Sequence, residues 1–294
     1  MKIFITGGSG MLGQYLNLEL HKKHEILTQY YSNPGNCTNF PNVCLDLTNF
    51  EQLKKVFNEF NPDIVIHTAA VSTPEKVDEQ SSKFVYNLNV NTTAKIAELC
   101  KVSSSKMIYT STDLVYAGYR GSFLKEDSKL IPSSLYAETK LMGEAKIKEV
   151  FDNYLILRVS LQIGFGLNHS TNNFHKLYNS LKENKSFKLY TDQFRTPLAL
   201  HESAKMISSL IEMDIVSETL NFGGKERVSR YELGEILCEE GGFDKNLLIP
   251  TTMADVNLKY PVADVSLNTT KLSSFGINIE PLRNSIRTLL KENE

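Results

Sequence analysis

Tyr136 and Lys140 stand four residues apart in the stretch Ser134 to Glu144, SLYAETKLMGE. On a helix that spacing stacks the two side chains on one face, a turn apart. An unperturbed phenol titrates near ~10 and an ammonium near ~10.4. A fixed positive charge beside the phenol favours the phenolate and lowers the phenol's pKa. So placed, Tyr136 is a general acid or base usable near neutral pH. The spacing alone decides little. Tyr178 and Lys182, in YNSLK, repeat it, and among 13 tyrosines one coincidence is expected. The ordinary reading of any one such pair is a solvated helix face, so the elements around it must decide.

The first half alternates strand and helix. Lys2 to Thr6 reads as a short buried strand, followed at once by Gly7-Gly8-Ser9-Gly10-Met11-Leu12-Gly13. Met11, Leu12, Tyr15, Leu16 and Leu20 then give a helical apolar stripe. Strand, glycine turn and helix in that order make a phosphate cradle. Gly7 permits the tight turn, Gly10 lets the backbone approach a pyrophosphate, and Gly13 lets the helix pack close to the strand. The helix start at Met11 and Leu12 offers free N–H groups to the anion. The spacing is GxxGxxG rather than GxGxxG, and a tight strand–helix turn is the plain alternative; its place after the first strand favours a dinucleotide.

Glu25 to Gln29 reads as the second strand. Its end, Gln29-Tyr30-Tyr31-Ser32, lacks the acid that binds ribose hydroxyls in NAD sites, and also the arginine usual for NADP. Without the acid a 2′-phosphate meets no repulsion, and Ser32 can donate to it, so NADP is favoured over NAD. Val43 to Leu45 reads as the third strand, ending at Asp46 and Leu47, where the carboxylate suits either an adenine amino group or a turn. Thr48-Asn49-Phe50-Glu51 reads as a capping box opening a helix to Phe60. Ile64 to Ile66 is the fourth strand, leading into His67-Thr68-Ala69-Ala70. Small Ala69 and Ala70 suit close approach to a cofactor, and His67 reads as packed rather than catalytic. Ser81 to Val102 reads as one long helix, with Asn89 either bonding a strand end or lying on the surface. Lys106 to Thr110 is the fifth strand, running into Ser111-Thr112-Asp113. Hydroxyls at the carboxyl end of a parallel strand face the ligand crevice, which puts Thr112 against a substrate carbonyl.

In the second half, strands are expected at Tyr154 to Arg158, Lys188 to Tyr190 and Leu220 to Phe222. Helices are expected at Asn173 to Asn184, Ala204 to Ile211 and Leu282 to Lys291. Ser229-Arg230-Tyr231-Glu232 reads as a second capping box, with Gly241-Gly242 closing its helix. The fold expected is α/β, a Rossmann-type doubly wound parallel sheet with a small C-terminal substrate-binding lobe. Residues 1–160 would form the NAD(P)-binding domain, with strand elements returning to it from the second half, and 161–294 mainly the lobe, interleaved with it. Arg195, in DQFRTP, has the fork that suits a substrate diphosphate, with a surface salt bridge as the alternative. Asn173, Gln193 and Tyr260 are weaker lining candidates.

Composition narrows the rest. The chain has 294 residues, is 41% hydrophobic and carries net charge −2, enough for a sizeable core and no electrostatic case for nucleic acid. No apolar stretch approaches a membrane span. Four scattered cysteines and six histidines match no metal-ligand spacing, so no metal site and a cytoplasmic, reduced protein are expected.

Together GGSGMLG, DLTN, HTAA, STDLVY and YAETK, in that order, resemble the extended short-chain dehydrogenase/reductases. YAETKLMGE, RVSLQIG, DQFRTP and VSRYELG resemble, within that family, the dTDP-4-dehydrorhamnose reductases and their relatives. The resemblance implies hydride transfer from NADPH or NADH to a nucleotide-linked keto sugar. It implies Tyr136 as proton donor, Thr112 as hydrogen-bond donor to the substrate oxygen, with Asp113 beside it, and Lys140 lowering the Tyr136 pKa and binding the nicotinamide ribose. It also favours Tyr136–Lys140 over Tyr178–Lys182, because the reactive pair lies between the hydroxyl-bearing strand and the next one. Two departures fall in substrate-lining regions: no Trp stands in Arg158-Val159-Ser160-Leu161, and Tyr260-Pro261 replaces the usual Arg-Pro. An epimerase of the same family and an NADP-binding regulatory subunit without turnover stay open. So does a homodimer, since dimers are common among relatives.

Overall fold

Successive strand residues face opposite sides of a sheet, and the apolar residues here fill both sides. Ile3 and Ile5 join one core with Ile64, Ile66, Leu155 and Leu157. Phe4, Val65, Met107 and Ile156 join a second core on the other face. Sheets buried on both faces are parallel ones with helices above and below. The computed structural model, which describes residues 1–119 and 121–293, has that form.

The strands are β1 (Lys2–Thr6), β2 (Glu25–Tyr30), β3 (Asn42–Cys44), β4 (Ile64–His67), β5 (Lys106–Thr112), β6 (Tyr154–Val159) and β7 (Glu218–Phe222). They form one seven-stranded sheet in the order β7-β6-β5-β4-β1-β2-β3. Every pairing in it is parallel. The chain winds outward from β1 in one direction, then from β4 in the other. Ligands bind at such a reversal, beyond the carboxyl ends of the strands.

The main helices are α1 (Met11–Leu20), α2 (Phe50–Phe60), α3 (Thr92–Ser103), α4 (Leu135–Val150), α5 (Asn173–Lys182), α6 (Leu200–Ile211), α7 (Arg230–Gly241) and α8 (Leu282–Glu292). Helices α1 and α6 bury their apolar stripes on the first face. Helices α2, α3 and α4 cover the second. A third core joins α5, α7 and α8 with the parallel pair Phe187–Tyr190 and Leu248–Thr251. Thus β7 and α6, both from the second half of the chain, complete the main sheet and its covering layer.

Three local expectations need correction. The cap of α2 is Asn49, not Thr48: its side chain accepts from Gln52 N, while Thr48 Oγ1 donates to Asp46. The long helix from Ser81 is interrupted by a π turn at Asn87–Asn91. Asn89, buried in that turn, accepts from Val71 N at 2.9 Å and donates to Val71 O at 3.3 Å and Thr139 Oγ1 at 3.1 Å. Its side chain therefore ties the loop after β4 to α4. Helix α6 begins at Leu200 rather than Ala204, directly from a strand, and Ala199 at its start offers no side-chain cap for a sequence pattern to reveal. The second capping box is present with both reciprocal bonds, and Gly242 closes α7 at φ +69.

Candidate active site

The glycine turn opens the site. Gly7 adopts φ +69, a conformation glycine takes without steric cost. A Cβ on Gly13 would lie 2.2 Å from Gly7 O, so α1 packs too close to the turn for any side chain there. A Cβ on Gly10 would meet only Gly7 O, at 3.1 Å, and otherwise point into open space. Gly10 precedes α1, and no side chain caps that helix start. The first-turn N–H groups, those of Met11, Leu12 and Gly13, therefore face the cleft with the positive end of the helix dipole. This cradle fits a pyrophosphate. Gly8, which carried no expectation, packs against β2: a Cβ there would collide with the Thr28 side chain.

The cradle borders a cleft of about 1220 Å³ that runs from Asp46 and Leu47, past Ala69 and Ala70, to Thr112, Tyr136 and Lys140. Asp46 Oδ1 accepts from Thr48 N at 2.9 Å and Thr48 Oγ1 at 2.7 Å, so the turn role holds while the residue still lines the cleft. Ser32 is exposed and lies outside the cleft lining, whose edge there is Tyr30 and Tyr31. Gln29 is locked instead of acidic: it accepts from Gly7 N at 2.9 Å and donates to Leu45 O at 2.6 Å. His67 is packed, as expected. Its ring contacts Thr6 Oγ1 at 2.6 Å and Thr93 Oγ1 at 3.0 Å, and burial drives its pKa down to about 3.

Ser134 caps α4 by accepting from Ala137 N at 3.3 Å, which sets Tyr136 and Lys140 on the first turns of that helix. Both line the cleft. Tyr136 is 9% exposed and Lys140 2%. Lys140 Nζ lies 4.1 Å from the centre of the Tyr109 ring, an attractive face for a cation. Burial lowers the Lys140 pKa to about 7, with Glu144, a turn further on, opposing the shift. Burial also pushes the Tyr136 phenol well above its ordinary value, and the Asp113 carboxylate adds to the push. The Tyr136 phenol, expected from the sequence to be shifted down by Lys140, is shifted up by its own desolvation. The Thr112 side chain opposes that rise. Tyr178 and Lys182 lie elsewhere: Tyr178 packs in the third core, edge-on to Phe165 at 4.8 Å.

Below this pair, Glu144 and Arg158 form a buried ion pair at 2.8 Å, with Ser111 Oγ donating to Glu144 at 2.6 Å. On the lobe side, Arg195 is buried rather than on the surface. Its Nε lies 3.7 Å from Asp113 Oδ2, and it donates to the carbonyls of Phe194 and Val262 at 2.7 and 3.3 Å. Asn173 lines the same cleft from the start of α5. Arg230, which was read only as part of a capping box, also lines it, donating to Gln193 Oε1 at 2.9 Å. Its position at the first residue of a capped helix was the available signal. Tyr260 bridges to Asp78 Oδ1 at 2.6 Å. Among the described residues there is no cluster able to hold a metal ion, and no helix long and apolar enough to cross a membrane.

Known proteins resemble this chain in sequence and in fold. The chain is 26% identical to a dTDP-4-dehydrorhamnose reductase of Aggregatibacter actinomycetemcomitans, over 98% of each sequence. It is 27% identical to methionine adenosyltransferase 2 subunit beta of Xenopus laevis, over 98% of this chain and 87% of that one. The crystal structure of dTDP-4-dehydrorhamnose reductase from Bacillus anthracis in complex with NADP superposes with a TM-score of 0.86 at 22% identity, covering 99% of both chains. The family model described as RmlD substrate binding domain matches residues 1–294, and the chain belongs to that family.

Proposed function

We propose that this protein is an NAD(P)H-dependent reductase of a nucleotide-linked 4-keto sugar. The observation that carries the reading is one cleft lined by the Gly7–Gly13 cradle at one end and by Thr112, Tyr136 and Lys140 at the other. The full-length similarity to a dTDP-4-dehydrorhamnose reductase supports the substrate class. The uncapped start of α1 binds the pyrophosphate, with Asp46 and Leu47 at the adenine end. The bound nicotinamide supplies the reducing equivalents to the sugar carbonyl carbon. Tyr136 gives its hydroxyl proton to the carbonyl oxygen as negative charge grows there. Lys140, which lines the cleft, holds the cofactor ribose and offsets the charge left on Tyr136. Residues 161–294 supply the substrate wall, with Arg195, Arg230 and Asn173 facing the sugar nucleotide.

Screening dTDP-, GDP-, UDP- and CDP-linked keto sugars with NADPH and NADH tests this. Stoichiometric loss of reduced-cofactor fluorescence on one of them is the expected result. An epimerase would interconvert sugars with no net loss, keeping its cofactor bound through purification. A second reading, a dinucleotide-binding subunit, is favoured by the similarity to the methionine adenosyltransferase subunit. It predicts one stoichiometric protein partner in a pull-down and no turnover on any sugar nucleotide.

A further inference from the structure

A buried amide is at rest only when its donors and its acceptor oxygen are all engaged. Gln14, on the first turn of α1, is fully buried, and its side chain is saturated. Nε2 donates to Ser9 O at 3.0 Å, Leu167 O at 3.1 Å and Ser170 Oγ at 3.0 Å. Oε1 accepts from Asn36 N at 3.1 Å and Asn168 Nδ2 at 2.7 Å. One side chain thus joins the glycine turn, the segment after β2 and a turn of the lobe. Residues 164–172, which contain that lobe turn, form no helix or strand. Asn168 sits at φ +52, a left-handed conformation that asparagine tolerates better than most residues. Among the described residues, every hydrogen bond that leaves 167–170 goes to Gln14 or to Ser9. His169 and Ser170 line the cleft together with Ser9, Gly10 and Met11.

We propose that Gln14 is a positioning residue for the cofactor: it pins the 167–170 turn of the lobe to the glycine cradle, so that the turn walls the cofactor diphosphate and has to come free before the cofactor leaves. Freeing the turn breaks the lobe-side hydrogen bonds of a buried amide, where little water replaces them, and this keeps the closed form dominant. The bonds to Ser9 and Asn36 survive the opening, so α1 and the segment after β2 stay in place while the turn moves. This role rests on reading the cradle as a dinucleotide site. It does not rest on the sugar chemistry, and a subunit that holds NADP without turnover shows it equally. The keto-sugar screen, not cofactor release, separates those two.

The test loosens the turn from the lobe side. Asn168→Gly combined with Ser170→Ala removes two of the lobe-side partners and leaves Ser9 and Asn36 on Gln14. Glycine also takes φ +52 without steric cost. NADPH release from the full chain, chased with excess NADP⁺ and followed by stopped-flow fluorescence, should quicken about tenfold or more, with association little changed. In the cofactor-free protein, amide exchange over 167–171 should quicken while α1 exchanges at the wild-type rate. Wild-type release from the folded double variant overturns the proposal, and so does a wild-type chain that binds neither NADPH nor NADH. Gln14→Met cuts the same bonds from their other end. It quickens release as well, and the lobe-side substitutions then add little. An undiminished further increase in that background shows the two ends acting separately and overturns the proposal. If Gln14→Met does not fold, the double variant decides alone.

Discussion

The reactive hydroxyl of Tyr136 sits in a wall of groups that burial has stripped of water. Tyr136→Phe removes the proton and leaves the ring; turnover falls by about 10²-fold or more while NADPH affinity stays close to wild type. Lys140 gives a pH-dependent prediction. Its amine binds a proton less tightly in the folded protein, near pH 7, than in the unfolded chain, near ~10.4. The unfolded state therefore holds more protons in that window, and stability contributed at this position rises with pH through it. The cost of the buried charge is full below pH ~7 and relieved by pH ~10. Lys140→Met should raise the melting temperature of the cofactor-free protein near pH 6.5, with the gain shrinking toward pH 9.5, as scanning calorimetry would record; a constant gain contradicts the desolvated amine. The pair itself was legible in the sequence because its spacing is local. The Asp113–Arg195 pairing was not, because its members are far apart in sequence. The sign of the Tyr136 shift was likewise hidden, since spacing does not report desolvation.

Among the elements, the strand–turn–helix at Gly7–Gly13 separates two jobs that glycines do. Gly13→Ala places a methyl 2.2 Å from Gly7 O and forces α1 away from β1. Gly10→Ala meets backbone only at 3.1 Å and otherwise fills the space a phosphate would use. The first substitution should lower thermal stability clearly. The second should leave the melting temperature nearly unchanged and weaken NADPH binding about tenfold or more, measured by fluorescence titration. Equal effects of both on stability would contradict the distinction. Strands β1 to β6 were readable as short apolar runs between turn residues. The π turn at Asn87–Asn91 was not, because it follows from Asn89 reaching the Val71 backbone and Thr139. The early start of α6 carries no capping residue and so left no trace in the pattern.

At the scale of the molecule, the first core joins Ile3 and Leu16 from the start of the chain with Leu210, Phe222 and Ile279 from its second half. The two halves therefore share one hydrophobic layer. Leu210→Ala should cost about 2–5 kcal/mol. Its unfolding, followed by far-UV circular dichroism and by NADPH binding, should shift as one transition; separate transitions would mean that the lobe and sheet unfold independently. The alternation of strand and helix made the doubly wound sheet legible from sequence, and a strand returning to it from the second half was expected; that α6 covers its first face depends on packing that no local pattern records. The account as a whole turns on Tyr136 delivering a proton across the shared cleft. A single-turnover experiment with NADPH and the best keto-sugar nucleotide measures this most directly. Wild-type protein should oxidise one NADPH per sugar reduced, and Tyr136→Phe should bind both ligands yet oxidise it at least about a hundredfold more slowly; equal rates in the two proteins would contradict the account.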